Sequence, residues 1–370
     1  MRVCLDIRVQ TKGGTSTFIS NFVHELISKN ISHDFVFLTN EDGSIINSSD
    51  YETIKVPNLH PLLELTWIQT KLPMLIKKRR IRLYHSLKHL GPIYCPVNSI
   101  YRNAAVGQFA GIYPLSFQEK IYWIWLEKLL FSKADLIIAV SNYIRTFLIN
   151  HLNISADKII TVYNGCDEYF RSLPADKIPT DYLSTKGIEQ PFILCVGNVV
   201  PVKNHKVLIK AFKTLKKDKT FAQQILVIAG GTYHPHFQEL KKLVVELGLE
   251  KSIKFIGQQS KQELLYLYNS AEMLVHPSLH EGFSFTILEA MACGLPIVCS
   301  NTTSNPEAAG EAAIYYDNPN DPEELANSIL TLRQSSALRN NLSRKAKKQV
   351  SQFTWSKCVQ DTVSVYDRFN

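Results

Sequence analysis

Two carboxylates and a helix start stand together in the stretch Glu281 to Gly294, EGFSFTILEAMACG. Glu281 and Glu289 are eight positions apart, separated by a Gly-Phe-Ser-Phe-Thr turn and the helix-favouring run from Ile287 onward. Gly294 and Pro296 follow in the order that stops a helix. The pattern predicts Glu281 in a loop, the turn 282–285 at a helix N-terminus, and Glu289 inside the helix. Amides at a helix start, here around Ser284 to Thr286, suit a phosphate. A carboxylate is repelled by phosphate but accepts hydrogen bonds from sugar hydroxyls. One glutamate before the phosphate and one beyond it could therefore hold the two sugars of a nucleotide-sugar.

Such a constellation needs a scaffold, and the rest of the chain supplies one by alternation. Short apolar runs at 2–7, 34–38, 51–56, 81–84, 104–109, 135–140 and 158–162 read as strands. Between them lie longer runs with helical spacing, such as Thr15 to Lys29, Leu62 to Arg80 and Phe117 to Phe131. After a charged, proline-containing stretch at 171–190 the alternation restarts, with strands at 192–196, 225–229, 253–256, 273–276, 296–299 and 313–316. Strand–helix alternation of this kind predicts parallel sheets with helices on both faces. Two such units should place ligands at the carboxyl ends of their strands, in the cleft between them.

Composition bounds the class. The 370 residues suffice for two domains, and 45% hydrophobic with 20% charged residues is the profile of a soluble globular protein. Seven scattered cysteines without a C-x-x-C pair predict reduced thiols in a cytoplasmic protein. The N-terminal MRVCLDIRV reads as a strand rather than a signal peptide, and no stretch reaches the apolar length of a membrane span. The net charge of +8 permits attraction to acidic surfaces without implying nucleic acid. No Asp-x-Asp and no cluster with metal-ligand spacing occurs, so neither a metal nor another cofactor is expected. A nicotinamide-dependent Rossmann enzyme is disfavoured because no G-x-G-x-x-G follows a strand.

Several ordered blocks carry a resemblance: GGTSTF at 13–18, ADLIIAVSNYIRTFL at 134–148, TVYNGCDEYF at 161–170, ILCVGNVVPVKNHKVLIKAF at 193–212, LVIAGG at 226–231, HPSLHEGFSFTILEAMACGLPIV at 276–298 and NPEAAGEAA at 305–313. Over nearly its whole length the chain resembles retaining glycosyltransferases of the GT-B fold, in the family 4 group that includes bacterial mannosyltransferases. That resemblance implies two Rossmann-like domains facing a central cleft. The first, 1–170, would be the acceptor side, with helix 354–369 packing back on it. A linker at 171–190 would lead to the nucleotide-sugar-binding domain, 191–353. It also implies roles. Glu289 would accept from the ribose hydroxyls, and Glu281 would contact the donor sugar where the glycosidic bond breaks. Amides near Phe283, Ser284, Phe285 and Thr286 would bind phosphate or sugar hydroxyls. Lys203 would neutralise the departing pyrophosphate, a task any fixed cation performs for such a leaving group. Gly13 and Gly14 would let backbone approach the pyrophosphate from the first domain.

This chain departs from the family pattern twice. Asn198, expected among the donor-binding residues, stands where an arginine is common, five places before Lys203. Aligned on Pro114, Ala110 and Gly111 stand where the family usually has His-Asp. Gln108 is near in sequence, and His85 and His89 either face the cleft or are structural. Trp123 and Trp125 are expected in the core. The basic stretch Lys77-Lys78-Arg79-Arg80, with Lys71, Arg82 and Lys88, reads as a membrane or lipid-pyrophosphate contact centred on 71–82 or as the solvated face of a packed helix. The expected activity is hexose transfer, mannose first, from a nucleotide-diphosphate sugar to a glycan or lipid-linked acceptor in cell-surface polysaccharide synthesis. The alternative is a degenerate homologue that binds nucleotide or glycan, or supports a partner enzyme, without turnover.

Overall fold

The computed structural model describes residues 1–8, 13–40, 50–56, 59–88, 90–112, 121–179, 181–188 and 191–369. It divides into two units, Met1–Gly165 together with Thr354–Asn370, and Cys166–Phe353.

The first unit is a seven-stranded parallel sheet in the order β3-β2-β1-β4-β5-β6-β7. Its strands are β1 (Arg2–Asp6), β2 (Asp34–Thr39), β3 (Glu52–Lys55), β4 (Leu83–Ser86), β5 (Asn98–Asn103), β6 (Leu136–Ala139) and β7 (Ile159–Thr161). Helices α1 (Gly14–Ser28), α2 (Pro61–Lys78), α3 (Glu127–Lys133) and α4 (Asn142–Leu152) connect them, and a π-helical turn at Ile121–Leu126 leads into α3. Strand order reverses between β1 and β4, the switch point at which open α/β sheets bind ligands.

One strand of this sheet differs from the sequence reading. The expected strand at 104–109 is instead irregular chain leading into a turn, and the strand lies earlier, at Asn98–Asn103. Its sequence, NSIYRN, looks too polar for a central strand, yet Ser99, Arg102 and Asn103 are all buried. Arg102 is accommodated by stacking on Phe18, 3.5 Å from the ring centre, and by donating to Asn164 Oδ1 at 2.9 Å.

The second unit is a six-stranded parallel sheet in the order β10-β9-β8-β11-β12-β13. Its strands are β8 (Phe192–Val196), β9 (Ile225–Ala229), β10 (Ile253–Gly257), β11 (Met273–His276), β12 (Ile297–Ser300) and β13 (Ala313–Tyr316). Helices α5 (His205–Leu215), α6 (His236–Glu246), α7 (Lys261–Ser270), α8 (Phe285–Ala292), α9 (Asn305–Ala309), α10 (Pro322–Gln334) and α11 (Ser336–Val350) cover it. Val207, Leu208 and Phe212 of α5 pack with Ile193, Leu226 and Ile329 in one apolar core. Here the order reverses between β8 and β11, so the loops after those two strands share the switch point.

The chain changes unit at Gly165, before the boundary expected at 170, and 171–188 is not a free linker. Ser172 Oγ donates to Cys293 O at 3.0 Å, Leu173 N donates to Asn269 Oδ1 at 2.7 Å, and Lys186 pairs with Glu263 at 2.6 Å. These bonds fasten the segment to the second unit. The last helix, α12 (Trp355–Tyr366), belongs to the first unit. Trp355 lies 5.6 Å from Phe18 of α1, and Tyr366 OH meets His85 Nδ1 at 2.7 Å. All seven cysteines are free, and all but Cys95 are buried.

Candidate functional site

The loops after β8 and β11 bring Lys203 and Glu281 together. Lys203 ends a single 3-10 turn, Pro201–Lys203, and Asn204 takes a left-handed conformation (φ 53°) to start α5. Asn tolerates that backbone better than most residues, and its Nδ2 donates to Pro319 O at 2.6 Å. Lys203 Nζ lies 2.5 Å from Glu281 Oε1, with about a quarter of the lysine side chain still exposed. His276, the last residue of β11, places Nε2 3.1 Å from the same oxygen. Burial alone would raise the Glu281 carboxyl. Lys203 and His276 override that and hold it well below the usual carboxylate range.

The Glu281 backbone is fixed from the other side. Its N–H donates to Thr303 Oγ1 at 3.0 Å, and its carbonyl accepts from Ser304 Oγ at 3.0 Å. Thr303 sits at φ 52°. For a β-branched residue this is strained backbone, costing on the order of 1–3 kcal/mol, and such strain collects where a site must be held in place. Helix α8 begins at Phe285, capped by the buried Ser284, whose Oγ accepts from Ile287 N at 3.4 Å and contacts His276 Nε2 at 3.3 Å. Ser284 thus serves through its cap and backbone, while Phe283 is buried edge-on against Phe353 at 5.2 Å. Phe285 and Thr286 form the first turn, where helix geometry leaves amides without an intrahelical acceptor.

Glu289 lies in the second turn of α8, and Tyr268 OH donates to its Oε2 at 2.8 Å. Burial, reinforced by nearby Asp167 and opposed by that hydrogen bond, pushes this carboxyl up to about 7. The two glutamates therefore differ in character. Glu281 is a fixed anion beside a cation, and Glu289 is a buried carboxyl raised toward neutrality. Asn198 is less available than the sequence suggested. Its Oδ1 accepts from Gly231 N at 3.0 Å and its Nδ2 donates to Tyr233 OH at 3.1 Å, so it ties the β8 loop to the β9 loop. The two loops touch at Gly230, where a Cβ would fall 2.0 Å from Gly197 O; only glycine fits.

In the first unit, Gly13 and Gly14 are exposed at the start of α1, and among the described residues a Cβ at Gly13 would meet nothing within 4 Å. The end of β1 carries a buried ion cluster. Arg8 binds both Asp6 oxygens, at 2.8 and 2.6 Å, and Tyr84 OH donates to Asp6 at 2.7 Å. Glu64 approaches Arg8 at 3.4 Å and Lys88 at 3.3 Å. Ala110 and Gly111 are exposed in the turn after β5. Gln108, beside them, donates from Nε2 to Glu127 Oε2 at 2.8 Å. Burial pushes the Glu127 carboxyl up to about 8. His85 is buried against Tyr366 and is kept neutral by burial and by the charge of Arg102. His89 and Pro114 lie outside the described residues.

The sequence reading missed His276, Thr303, Tyr268 and the Asp6–Arg8 pair. His276 had a signal, since it opens the block that runs to Glu281. Asp-x-Arg at a strand end before Gly-Gly was a second.

This architecture, two parallel-sheet α/β units of seven and six strands, is that of a GT-B protein, and comparison with known proteins agrees. Residues 12–169 match the model described as Glycosyltransferase Family 4, and residues 184–349 match Glycosyl transferases group 1. The fold superposes on Anabaena Alr3699/HepE, crystallised with UDP, with a TM-score of 0.79 at 19% identity over 99% of each chain. The chain belongs to the GT-B glycosyltransferases of family 4, group 1. It is 33% identical over 247 residues to O-antigen chain mannosyltransferase B of Escherichia coli, covering 65% of this chain and 64% of that protein. It is 28% identical over 241 residues to the serotype-specific mannosyltransferase WbdA of Escherichia coli, covering 64% of this chain and 29% of that one. The match therefore spans less than two thirds of either relative.

Proposed function

We propose that the chain is a retaining hexosyltransferase of cell-surface polysaccharide synthesis that works without a metal or other cofactor. Its donor is a nucleotide-diphosphate sugar, GDP-mannose first among those to try, and its acceptor a glycan or lipid-linked saccharide. The observation that carries this reading is the Lys203–Glu281 pair at the switch point of the second sheet, beside the capped start of α8 and Glu289. Glu289 takes the ribose hydroxyls, and amides of the first turn of α8 take phosphate. Lys203 neutralises the departing diphosphate, and Glu281 holds the donor sugar at the breaking bond. Because a nucleoside diphosphate leaves without protonation, its own leaving oxygen accepts the acceptor's proton on the face it departs from, which retains configuration. The names of the mannosyltransferase relatives support mannose as the first donor sugar.

The proposed place of work is the cytoplasm, with peripheral contact at the inner face of the membrane through 71–82. Among the described residues no helix is long and apolar enough to cross a membrane. One observation favours a second reading, a homologue that binds nucleotide without turnover. Ala110 and Gly111 offer no hydrogen-bonding side chain, Gln108 is engaged by Glu127, and His85 is buried. A panel of nucleotide-sugars, scored for thermal stabilisation and for release of nucleoside diphosphate, separates the readings. Stabilisation with release supports the transferase, stabilisation alone supports the binding homologue, and neither with any donor refutes both.

A further inference from the structure

One helical layer of the first unit exposes apolar surface that the fold leaves uncovered. The crossovers β3–α2–β4 and β5–α3–β6 run in the same direction across the sheet, so right-handed connection puts α2 and α3 on one face. The crossover β1–α1–β2 runs the other way and puts α1 on the opposite face, where α12 joins it. The loop after β4 bridges α2 and α3. Gln69 of α2 donates to Gly91 O at 3.0 Å and accepts from Ile93 N at 2.9 Å, while the Tyr94 ring lies 5.9 Å from Lys133 Nζ of α3.

Five of the seven exposed large hydrophobic side chains among the described residues belong to this layer: Leu63, Met74, Tyr94, Trp125 and Leu129. Trp125, expected in the core, is 74% exposed, and the Trp123 side chain lies outside the described set. Leu63, the half-buried Trp67 and Met74 follow helical spacing along α2, and Trp125, Leu129 and Lys133 do so along the π-turn and α3. Among the described residues, the exposed charge on these two helices has one sign. Helices α2 and α3 carry Lys71, Lys77, Lys78, Lys128 and Lys133, all exposed. Their two acids, Glu64 and Glu127, are buried. Arg80 and Arg82, also exposed, extend the basic rim beyond α2.

We propose that this face, from α2 across Tyr94 to Trp125 and α3, seats the chain on an anionic lipid surface. Indole and phenol rings with apolar neighbours settle at the headgroup boundary, and lysine stems reach outward from it to phosphates. Charge complementarity selects that occupant over a second copy of the chain, because a two-fold contact would set the five lysines against their own copies. The surface is broader than the 71–82 segment and does not depend on the catalytic reading.

The test uses the full chain without donor, floated with vesicles of phosphatidylcholine alone or mixed with phosphatidylglycerol. Binding is expected only to the mixed vesicles and should weaken with salt. A Lys77→Gln, Lys78→Gln, Arg80→Gln variant should bind about 100-fold more weakly, from the contribution of basic residues at an anionic surface. Trp125→Ser and Met74→Ser keep the charge and, being exposed, should keep the melting temperature, yet each should weaken binding several-fold. Absence of binding to the mixed vesicles at low salt overturns the proposal. So does binding unchanged by Trp125→Ser and Met74→Ser, or a lipid-free dimer that Trp125→Ser dissolves.

Discussion

Replacing Glu281 by glutamine should make the protein bind free GDP or UDP more tightly while destroying transfer. Lys203 Nζ and Glu281 Oε1 are 2.5 Å apart and largely shielded. At an effective dielectric of about 20 their gross attraction is about 7 kcal/mol, and the net worth of a charge-assisted hydrogen bond is about 1.5–3 kcal/mol. A diphosphate that recruits Lys203 must draw it from Glu281 and also tolerate the Glu281 charge nearby. Glu281→Gln removes both costs, so affinity should rise about 10- to 100-fold, at 1.4 kcal/mol per tenfold. Calorimetric titration of the whole chain measures this. Lys203→Ala should weaken binding by about 1–3 kcal/mol, and Glu281→Gln added to Lys203→Ala should bring a smaller gain than it does in wild type, because only the repulsion from the Glu281 charge is left to remove. A Glu281→Gln protein of unchanged melting temperature that binds GDP and UDP no more tightly than wild type would refute the competition for Lys203.

Glu127 makes a pH-dependent prediction. Its carboxyl is raised to about 8 by burial in the fold, so stability is full below the ordinary glutamate value near about 4.3 and is lost progressively as pH rises through the folded value. Glu127→Gln still accepts from Gln108 and does not titrate. It should match wild type near pH 5 and melt higher near pH 9; a difference that does not move with pH contradicts the buried, protonated assignment. Truncation after Phe353 removes α12, which buries Trp355, Val359, Val365 and Tyr366. At about 1.5–3 kcal/mol per side chain the loss rivals the whole stability of a domain, so the first unit should unfold; an unchanged melting profile would argue against that packing. Ala110→His should raise donor turnover by up to about 10²–10⁴ if a hydrogen-bonding side chain is what that turn lacks. The single variant is preferable to one that also changes Gly111, whose φ of 70° strains most side chains; no gain in rate means the position was never needed.

The architecture was legible because fully buried parallel strands are apolar runs and the helices between them keep their 3.6-residue period. The exception, β5, hid because burial of Ser99, Arg102 and Asn103 is decided by tertiary partners such as Phe18 and Asn164, which no local pattern reveals. The helix start at the turn 282–285 and Glu289 inside α8 followed from turn and stop residues near them in sequence. The pairing of Glu281 with Lys203, 78 positions earlier, has no local chemical signature; it is set by the β8 and β11 loops meeting where strand order reverses. His276 opens the block that runs to Glu281, but its contact with the Glu281 carboxylate comes only from the fold of the loop after β11. Trp125 was misplaced because the run IYWIWL is apolar on every side and so contains no information about which side faces water.

The central claim is that the Lys203–Glu281 pair belongs to a working transfer site, and product formation in the presence of a chelator tests it most directly. Wild-type chain is incubated with GDP-mannose, and with UDP-glucose as a second donor, in EDTA, and released nucleoside diphosphate is followed by phosphorus NMR. The prediction is release by wild type with at least one donor, undiminished by EDTA and lost in Glu281→Gln and Lys203→Ala. Release that requires added manganese or magnesium, or that persists in both variants, would contradict it.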